Sequence, residues 1–465
     1  MALKRRIGQI SLTSREEEVF SVLLKVGSTY GATIRAAGGW VRDKLLGLES
    51  DDIDVALDTC DGETFAHAVR EYALKETQLN VSAIGEIKAN PDKSKHLQTA
   101  TFVLNGISLD TNNLRSETYT QDSRIPQTRF GTPLEDSERR DFTINSMFYN
   151  ANTGEIEDFT QKGLSDLEHS LLRTPLPPRQ TFSDDPLRIV RALRFAARFN
   201  LTIDSDLSAA ISDRSISSSL TVKKDKTGVT ISKVSGERIG TELTKMFNST
   251  KTAGNALTLL VTTGVADAIC DSQPVDTGDK CDWFALSNLN HPFTLTDRQD
   301  RILRFALLTS RLRDQQSFEG KRRVNTASSL LKETLRVPKN EAELVGLIFD
   351  NLEKLSILIT LQDKVETGRL LRVLKDDWVL ACSVLAVLRP SADIINFNSW
   401  VKTESGLDGC WTWKPLFDGV YLHEKLQVPK SKRLAELLDF QLDLMCEGEI
   451  TSEAMLTALQ AKLAP

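Results

Sequence analysis

The stretch Phe182–Phe199, FSDDPLRIVRALRFAARF, places two carboxylates and a proline ahead of three arginines spaced three apart, Arg188, Arg191 and Arg194. Proline has a fixed φ and no N–H to donate, so Pro186 suits the first position of a helix and Asp185 its cap. The helix is expected to run on through Arg198. Each helical step of three residues turns about 300°, so such a row drifts backwards by roughly 60° per step. Asp185 and Arg188 are then neighbours, and Arg194 points nearly opposite Asp185.

A carboxylate beside a guanidinium can meet the edge of a nucleobase. Cytosine and adenine both offer an exocyclic amine next to a ring-nitrogen acceptor, so Asp185 would accept from the amine while Arg188 donates to the ring. Uracil and guanine present a carbonyl and an N–H instead. Both contacts are then mispaired, and at about 1–3 kcal/mol for each buried unsatisfied group the rejection approaches roughly a thousandfold. Taken alone, the stretch reads more simply as a capped helix with surface ion pairs. The segments upstream tip the balance.

Between Gly38 and Gly47 the sequence GGWVRDKLLG has the pattern of a strand, turn and helix. Two glycines let backbone approach a phosphate, the helix start offers free N–H groups, and Arg42 adds a cation. Next, SDDIDVAL (50–57) alternates as a strand does, so Asp52 and Asp54 share one face while Ile53 and Val55 share the other. Two adjacent carboxylates repel unless a cation neutralises them. A pair of Mg²⁺ ions about 3.5–4 Å apart would suit an in-line phosphoryl displacement.

A helix is expected over Gly62–Lys75 and strands over His96–Leu104 and Ile107–Asp110. Asp110 is either a third carboxylate of the metal site or the start of the Asn112–Asn113 turn. Few apolar side chains occur in Ser116–Pro133, which reads as a long mobile loop. In EDSERRDFTINSMFYN (Glu135–Asn150), Arg139, Arg140 and Asp141 are expected to lead into a helix that buries Phe142, Ile144, Met147 and Phe148. Arginine suits polyphosphate through its fork of donors, and aspartate can accept from ribose hydroxyls.

In this order and spacing, GGWVRD, DID, RRDFTIN, DFTQKGLSDL (Asp158–Leu167), DDPLRIVRALRF and ERIGTELTKMF (Glu237–Phe247) resemble the motif series of class II tRNA nucleotidyltransferases, the CCA-adding enzymes. The six motifs span about half the chain, and RIPQTRFGTPLEDSERRDFTINSMFYN (Arg124–Asn150) resembles the eukaryotic, particularly the fungal, members. The resemblance implies an α+β fold: a small mixed-sheet, polymerase-beta-like catalytic head (1–165), then an all-α neck with the nucleotide-selecting motif (166–250), an RNA-binding body (251–390) and a tRNA-binding tail (391–465). It also implies Mg²⁺ on Asp52 and Asp54, and nucleotide contacts at Gly38, Gly39, Arg42, Arg139 and Arg140. Asp141 would lie at the ribose, Asp185 and Arg188 would act as the amino-acid template, and Arg191 and Arg194 would help hold the nucleotide. Asp184 stands where the family commonly has glutamate, which leaves the base-contacting pair intact.

Composition sets bounds on this reading. Net charge is −6 and the pI about 5.6, so no global basic field announces nucleic acid and any RNA contact rests on local patches. Six cysteines without CxxC or metal-ligand spacing argue for a reducing compartment and against zinc or a disulfide framework. The longest apolar run, Trp378–Leu388, is too short to span a bilayer and reads as a buried helix. Lys4, Arg5 and Arg6 meet Glu16–Glu18 and no apolar stretch, a poor leader, so a monomer in the cytoplasm is expected, with mitochondrial and nuclear pools also allowed.

Towards the C-terminus helices are expected over Arg301–Arg311, Thr326–Leu335, Lys339–Leu361, Gly368–Leu388, Ala435–Cys446 and Ser452–Leu463. Lys321–Arg323 and Lys430–Arg433 are candidate tRNA phosphate contacts, and Trp400, Trp411 and Trp413 are expected in the core. Ser215–Ser235 reads as a polar loop; KPLFDG (Lys414–Gly419) resembles the family's tail, whereas QVPKSKR beyond it lacks the expected glycines. The activity expected is template-independent addition of C, C and A to the tRNA acceptor end from CTP and ATP. The rivals are an enzyme that adds only CC or only A, a poly(A) polymerase, and a catalytically dead tRNA-binding scaffold.

Overall fold

A computed structural model of the chain describes residues 9–50, 52–87, 99–120, 123–223, 232–249, 251–271, 293–448 and 450–463. It divides into two compact units, residues 1–242 with 263–271 and residues 243–262 with 272–465.

The first unit is built on a seven-stranded mixed sheet. Its strands are β1 (Arg35–Ala37), β2 (Asp52–Leu57), β3 (Gly85–Ile87), β4 (Thr99–Leu104), β5 (Ile107–Asn113), β8 (Phe148–Asn150) and β9 (Glu155–Glu157), while β6 (Arg115–Thr120) and β7 (Ser123–Phe130) form a separate ribbon. Across the sheet the order is β3-β4-β5-β2-β1-β8-β9. Only β2 and β5 run parallel among these neighbours; the other pairs are antiparallel. A parallel pair needs a long crossover, and here the chain between β2 and β5 supplies a helix, β3 and β4.

Helices α1 (Ser14–Tyr30), α2 (Gly39–Leu45) and α3 (Gly62–Glu76) are followed by α4 (Pro133–Glu138), α5 (Gly163–Glu168), α6 (Pro178–Asp184), α7 (Leu187–Phe199), α8 (Ser205–Ser212), α9 (Arg214–Ser217) and α10 (Gly236–Phe247). Thr13 starts α1 with a reciprocal capping box to Glu16, and Asp61 caps α3 by accepting from Thr64 N–H. Ile53 and Val55 of β2 join Leu23, Ile34, Phe65, Val69, Phe102 and Leu109 in the core. Asp52 and Asp54 stay on the open face, as the alternation predicts.

Three expected elements of the first unit take another form. Residues after Asp141 make no α-helix but a 3₁₀ turn, Thr143–Asn145, and then β8. Phe142, Ile144, Met147 and Phe148 are all buried as expected, because a turn entering a central strand hides the same positions as a helix face. The expected loop after Ser116 is largely the ribbon β6–β7, paired from Arg115↔Phe130 inwards with a register shift near its tip. The two segments, RSETYT and SRIPQTRF, pair through their inward-facing backbone groups, which needs no run of apolar side chains. The start of the expected loop over Ser215–Ser235 instead completes α9 and a 3₁₀ turn, Ser218–Leu220; 224–231 lie outside the described residues.

The second unit is mostly helical. Lys339–Leu361 and Ser452–Leu463 are helices with the expected bounds. Asp297–Leu308 begins before the expected Arg301, capped by Thr296, and Lys432–Glu447 begins before Ala435, capped by Ser431. The expected span Gly368–Leu388 is two helices, Lys364–Leu374 and Trp378–Leu388, divided where Lys375 takes a positive φ of 52°. Thr326–Leu335 becomes a short α-turn and a π-turn. Lys321 stands in the turn of a hairpin, Gln316–Glu319 with Arg322–Asn325, not on a helix. Trp378–Leu388 is largely buried, and among the described residues no helix is long and apolar enough to cross a membrane.

Gly62, the first residue of α3, sits where an added Cβ would lie 2.2 Å from the Thr111 carbonyl oxygen on β5. Thr111 Oγ1 in turn donates to Gly62 O at 2.8 Å. The Gly62→Ala protein should lose about 1–3 kcal/mol of stability, since overpacking here meets backbone that cannot yield, read as a lower denaturant midpoint for the first unit.

Candidate active site

The acidic strand comes first. Parallel pairing sets Asp54 beside Asp110 and Asp52 beside Ser108. Burial raises the Asp52 carboxyl above its ordinary range and Asp110 pushes it the same way, while a hydrogen bond from Ser108 works against them. Burial likewise raises Asp54; Arg140 opposes this, and Asp52 and Asp110 reinforce it. Thr101 Oγ1 donates to Asp110 at 2.5 Å, so Asp110 faces the strand pair rather than starting a turn. β5 continues to Asn113.

This crowding of hard oxygen donors fits a divalent cation. Among the described residues no three acidic, histidine or cysteine groups converge closely enough to hold an ion on their own. The remaining ligands would therefore come from phosphate and water, as is usual for Mg²⁺.

Facing the strand is the glycine turn. Gly38 adopts φ 66°, and a Cβ there would stand 2.7 Å from Arg140 Nη1. The turn thus needs glycine both for its backbone and for the arginine laid against it. Arg42 is buried: it holds Asp43 through Nε at 2.8 Å, donates to Asn145 Oδ1, and lies 5.0 Å and 4.7 Å from the ring centroids of Phe195 and Phe199.

Arg139 and Arg140 diverge from one hub. Asp136, 1% exposed, accepts from Arg139 Nε at 2.9 Å on Oδ1 and from Arg140 Nε and Nη2 at 3.0 and 2.9 Å on Oδ2. Burial alone would raise its carboxyl, but Arg140 and Arg139 outweigh it and hold it below the usual range. Asp141 follows the same rule with a different partner. It accepts from Arg191 Nε and Nη2 at 2.8 and 2.7 Å, from Asn145 Nδ2 at 3.0 Å and from Phe142 N–H at 2.9 Å. Its carboxyl is lowered, burial being overcome by Arg191.

The arginine helix itself is α7. It starts at Leu187, one residue after the expected Pro186, because its first turn is tight: Arg188 N–H reaches Asp185 O at 3.0 Å and Ile189 N–H reaches Pro186 O at 3.0 Å. Asp185 stands outside it in an extended conformation, φ −140° and ψ 100°, and still accepts from Leu187 N–H at 3.2 Å. Since Asp185 is off the helix, the helical turn angle does not govern its direction. Arg194, expected to point nearly opposite, opens onto the same cleft.

That cleft, about 710 Å³, is lined by every predicted site residue except Asp52: Gly38, Gly39, Arg42, Asp54, Arg139, Arg140, Asp141, Asp185, Arg188, Arg191 and Arg194. Asp52 adjoins it two places earlier on the same strand face. The sequence reading missed Asn145, Arg198, Arg238 and Glu242, which also line it, and Asp136 behind it. Glu242 holds Arg194 at 2.6 Å and Arg191 at 3.4 Å, and Arg238 holds Asp185 at 2.7 Å. The spacing was visible: Arg238 and Glu242 are four apart in ERIGTEL, hence on one helix face.

A mixed sheet carrying paired carboxylates beside an arginine-rich cleft defines a nucleotidyl-transferring head. Residues 34–173 match the poly(A) polymerase head domain model. The CCA tRNA nucleotidyltransferase, mitochondrial, of Saccharomyces cerevisiae is 32% identical over 98% of this chain and 94% of its own. The tRNA nucleotidyltransferase cca2 of Schizosaccharomyces pombe is 32% identical over 93% of this chain and 94% of its own. A solved CCA-adding enzyme in complex with CTP shares the fold, with a TM-score of 0.68 over 99% of this chain and 100% of that one at 19% identity. The chain belongs to the CCA tRNA nucleotidyltransferase family, and it is an enzyme of that family with a fungal-like sequence.

Replacing Asp136 by Asn leaves two arginines with a neutral acceptor. Breaking a buried charge cluster this way should cost about 3–5 kcal/mol. Because the Asp136 carboxyl is held below its ordinary range, its stabilisation is complete above that range and is lost as pH falls through it. Unfolding titrations should show the parent well above Asp136→Asn at neutral pH and the two converging in acid.

Proposed function

We propose that the chain adds CMP, CMP and AMP in turn to the 3′ end of tRNA from CTP and ATP, releasing pyrophosphate, with the head at 1–165, neck at 166–250, body at 251–390 and tail at 391–465. The observation that carries this reading is that Asp54 and the Asp185–Arg188 pair open onto one cleft large enough for a nucleoside triphosphate. Phosphoryl transfer and base choice then act on one bound substrate. The 3′-hydroxyl of the tRNA attacks the α-phosphate while Asp52 and Asp54 hold the reaction centre. Magnesium ions bound there would supply activation of the hydroxyl and neutralisation of the triphosphate.

The chain's own groups do the rest. Gly38 and Gly39 let backbone come close to the phosphates, and Arg140, fixed by Asp136, faces them across the turn. Asp185 accepts from the exocyclic amine of cytosine or adenine and Arg188 donates to the ring nitrogen. Arg139 supports this geometry, its carbonyl oxygen taking a hydrogen bond from Arg188 Nη2. All acceptor positions of Asp141 are filled by Arg191, Asn145 and Phe142, so a ribose hydroxyl reaches it only by displacing one of them. Arg191 and Arg194 hold the nucleotide from the α7 side. A monomer in the cytoplasm, with a mitochondrial pool of the kind named for the Saccharomyces relative, is the state proposed.

Two substitutions separate the chemistry from the choice. Asp54→Ala should lower addition of CMP to a tRNA transcript lacking CCA by about a thousandfold or more, in the range of a lost electrostatic catalytic group, while gel-shift affinity for the transcript stays within about twofold. Turnover near the parent's would remove Asp54 from the reaction centre. Asp185→Ala should admit UTP and GTP while pyrophosphate release from CTP falls less. Continued rejection of UTP and GTP by that variant would end the template role.

A further inference from the structure

The Asp185 carboxylate is more constrained than a template residue need be. A carboxylate has about four acceptor positions, two on each oxygen. On Oδ1, Leu187 N–H at 3.2 Å and Arg238 Nη1 at 3.3 Å occupy both. On Oδ2, Arg238 Nη2 at 2.7 Å occupies one. A single acceptor position is left, and it lies on the oxygen nearer the guanidinium. Arg188 is restricted in the same way, since its Nη2 is given to the Arg139 carbonyl oxygen.

Arg238 reaches across from α10, on the face that also presents Glu242 to Arg191 and Arg194. The α10 face therefore lays a cation on Asp185, at the mouth of α7, and an anion on two arginines of that helix. Each long side chain is fixed by a partner of opposite charge. Asp185, being extended and outside the helix, has no helical backbone to fix its direction. Arg238 supplies that direction through a two-point contact, the geometry for which guanidinium is suited.

Building on the base-reading role of Asp185, we propose that Arg238 is a specificity-determining positioning residue: its two-point grip on Asp185 leaves one acceptor, aimed at one exocyclic amine. Uracil offers its N3–H and guanine its N1–H at a different place on the edge. A carboxylate free to swing would accept from either, and rejection would weaken. Selectivity thus depends on what Asp185 is prevented from doing as much as on what it offers.

The test uses the full chain and a tRNA transcript lacking CCA, with kcat/KM measured separately for CTP and UTP in the parent and in Arg238→Ala, Arg238→Lys, Arg238→Gln and Asp185→Ala. Arg238→Ala is expected to lower the CTP-to-UTP ratio about tenfold, roughly the worth of one hydrogen bond, chiefly because UTP is used better. Arg238→Lys should restore part of the ratio, and inhibition by pyrophosphate should be unchanged, since phosphate contacts are untouched. Should Arg238→Ala fail to fold, Arg238→Gln, which keeps donors without charge, carries the same expectation with a smaller loss. A folded Arg238 variant that adds CMP more slowly yet rejects UTP as the parent does overturns the proposal. If Asp185→Ala relaxes the choice and the Arg238 variants do not, only the Arg238 role fails; if Asp185→Ala also keeps the parent's ratio, the base-reading role fails with it.

Discussion

Eight arginines facing one cleft would drive it open unless something cancelled their repulsion. The cancellation comes from a few carboxylates placed behind or between them: Asp136 beneath Arg139 and Arg140, Asp141 and Glu242 against Arg191, and Glu242 again against Arg194. Aromatic faces add to it, with Arg194 4.3 Å and Arg191 5.4 Å from the Phe195 ring centroid. The positions of Arg139, Arg140, Arg191 and Arg194 are thereby set by the protein. Preorganisation of this kind is what makes charged groups effective towards a triphosphate, because little reorientation remains when the substrate arrives.

The division of labour follows from backbone geometry. A strand presents alternate side chains to one face without adjustment, so β2 sets Asp52 and Asp54 side by side. The helix α7 suits the arginines, whose spacing turns them successively along the cleft wall. The two residues between α6 and α7 belong to neither, and one of them is Asp185, the carboxylate proposed to read the base. Its environment is accordingly supplied by side chains from elsewhere, the Leu187 N–H excepted.

Much of this was legible from sequence, and the exceptions have physical reasons. The period-two run at 50–57 reads as a strand with its aspartates on one face, and in Asp52–Leu57 they lie where the alternation puts them. The ribbon β6–β7 was missed because its two segments, RSETYT and SRIPQTRF, carry few apolar residues and no apolar alternation. Residues 142–148 gave the correct buried positions and the wrong element, since their spacing suits a helix and a turn into a strand alike. Arg238 and Glu242 were passed over because a charged residue in an ordinary helix carries no local mark of its distant partner, and Asp136 because three- and four-residue ion pairs are ordinary on helices. The spacing of Asp136 from Arg139 and Arg140, three and four, was the nearest thing to such a mark.

Asp54 and Asp110 lie 56 positions apart in the chain, yet they are direct neighbours in the one parallel pair of the sheet. Joining β4 to β5 needs only a tight hairpin through Asn105 and Gly106. Closing a long loop carries a larger entropic penalty and yields its contacts only afterwards. During folding the hairpin is thus favoured to form early and its docking onto β2 to come late. The two mutually repelling carboxylates meet only when the surrounding core can already hold them together.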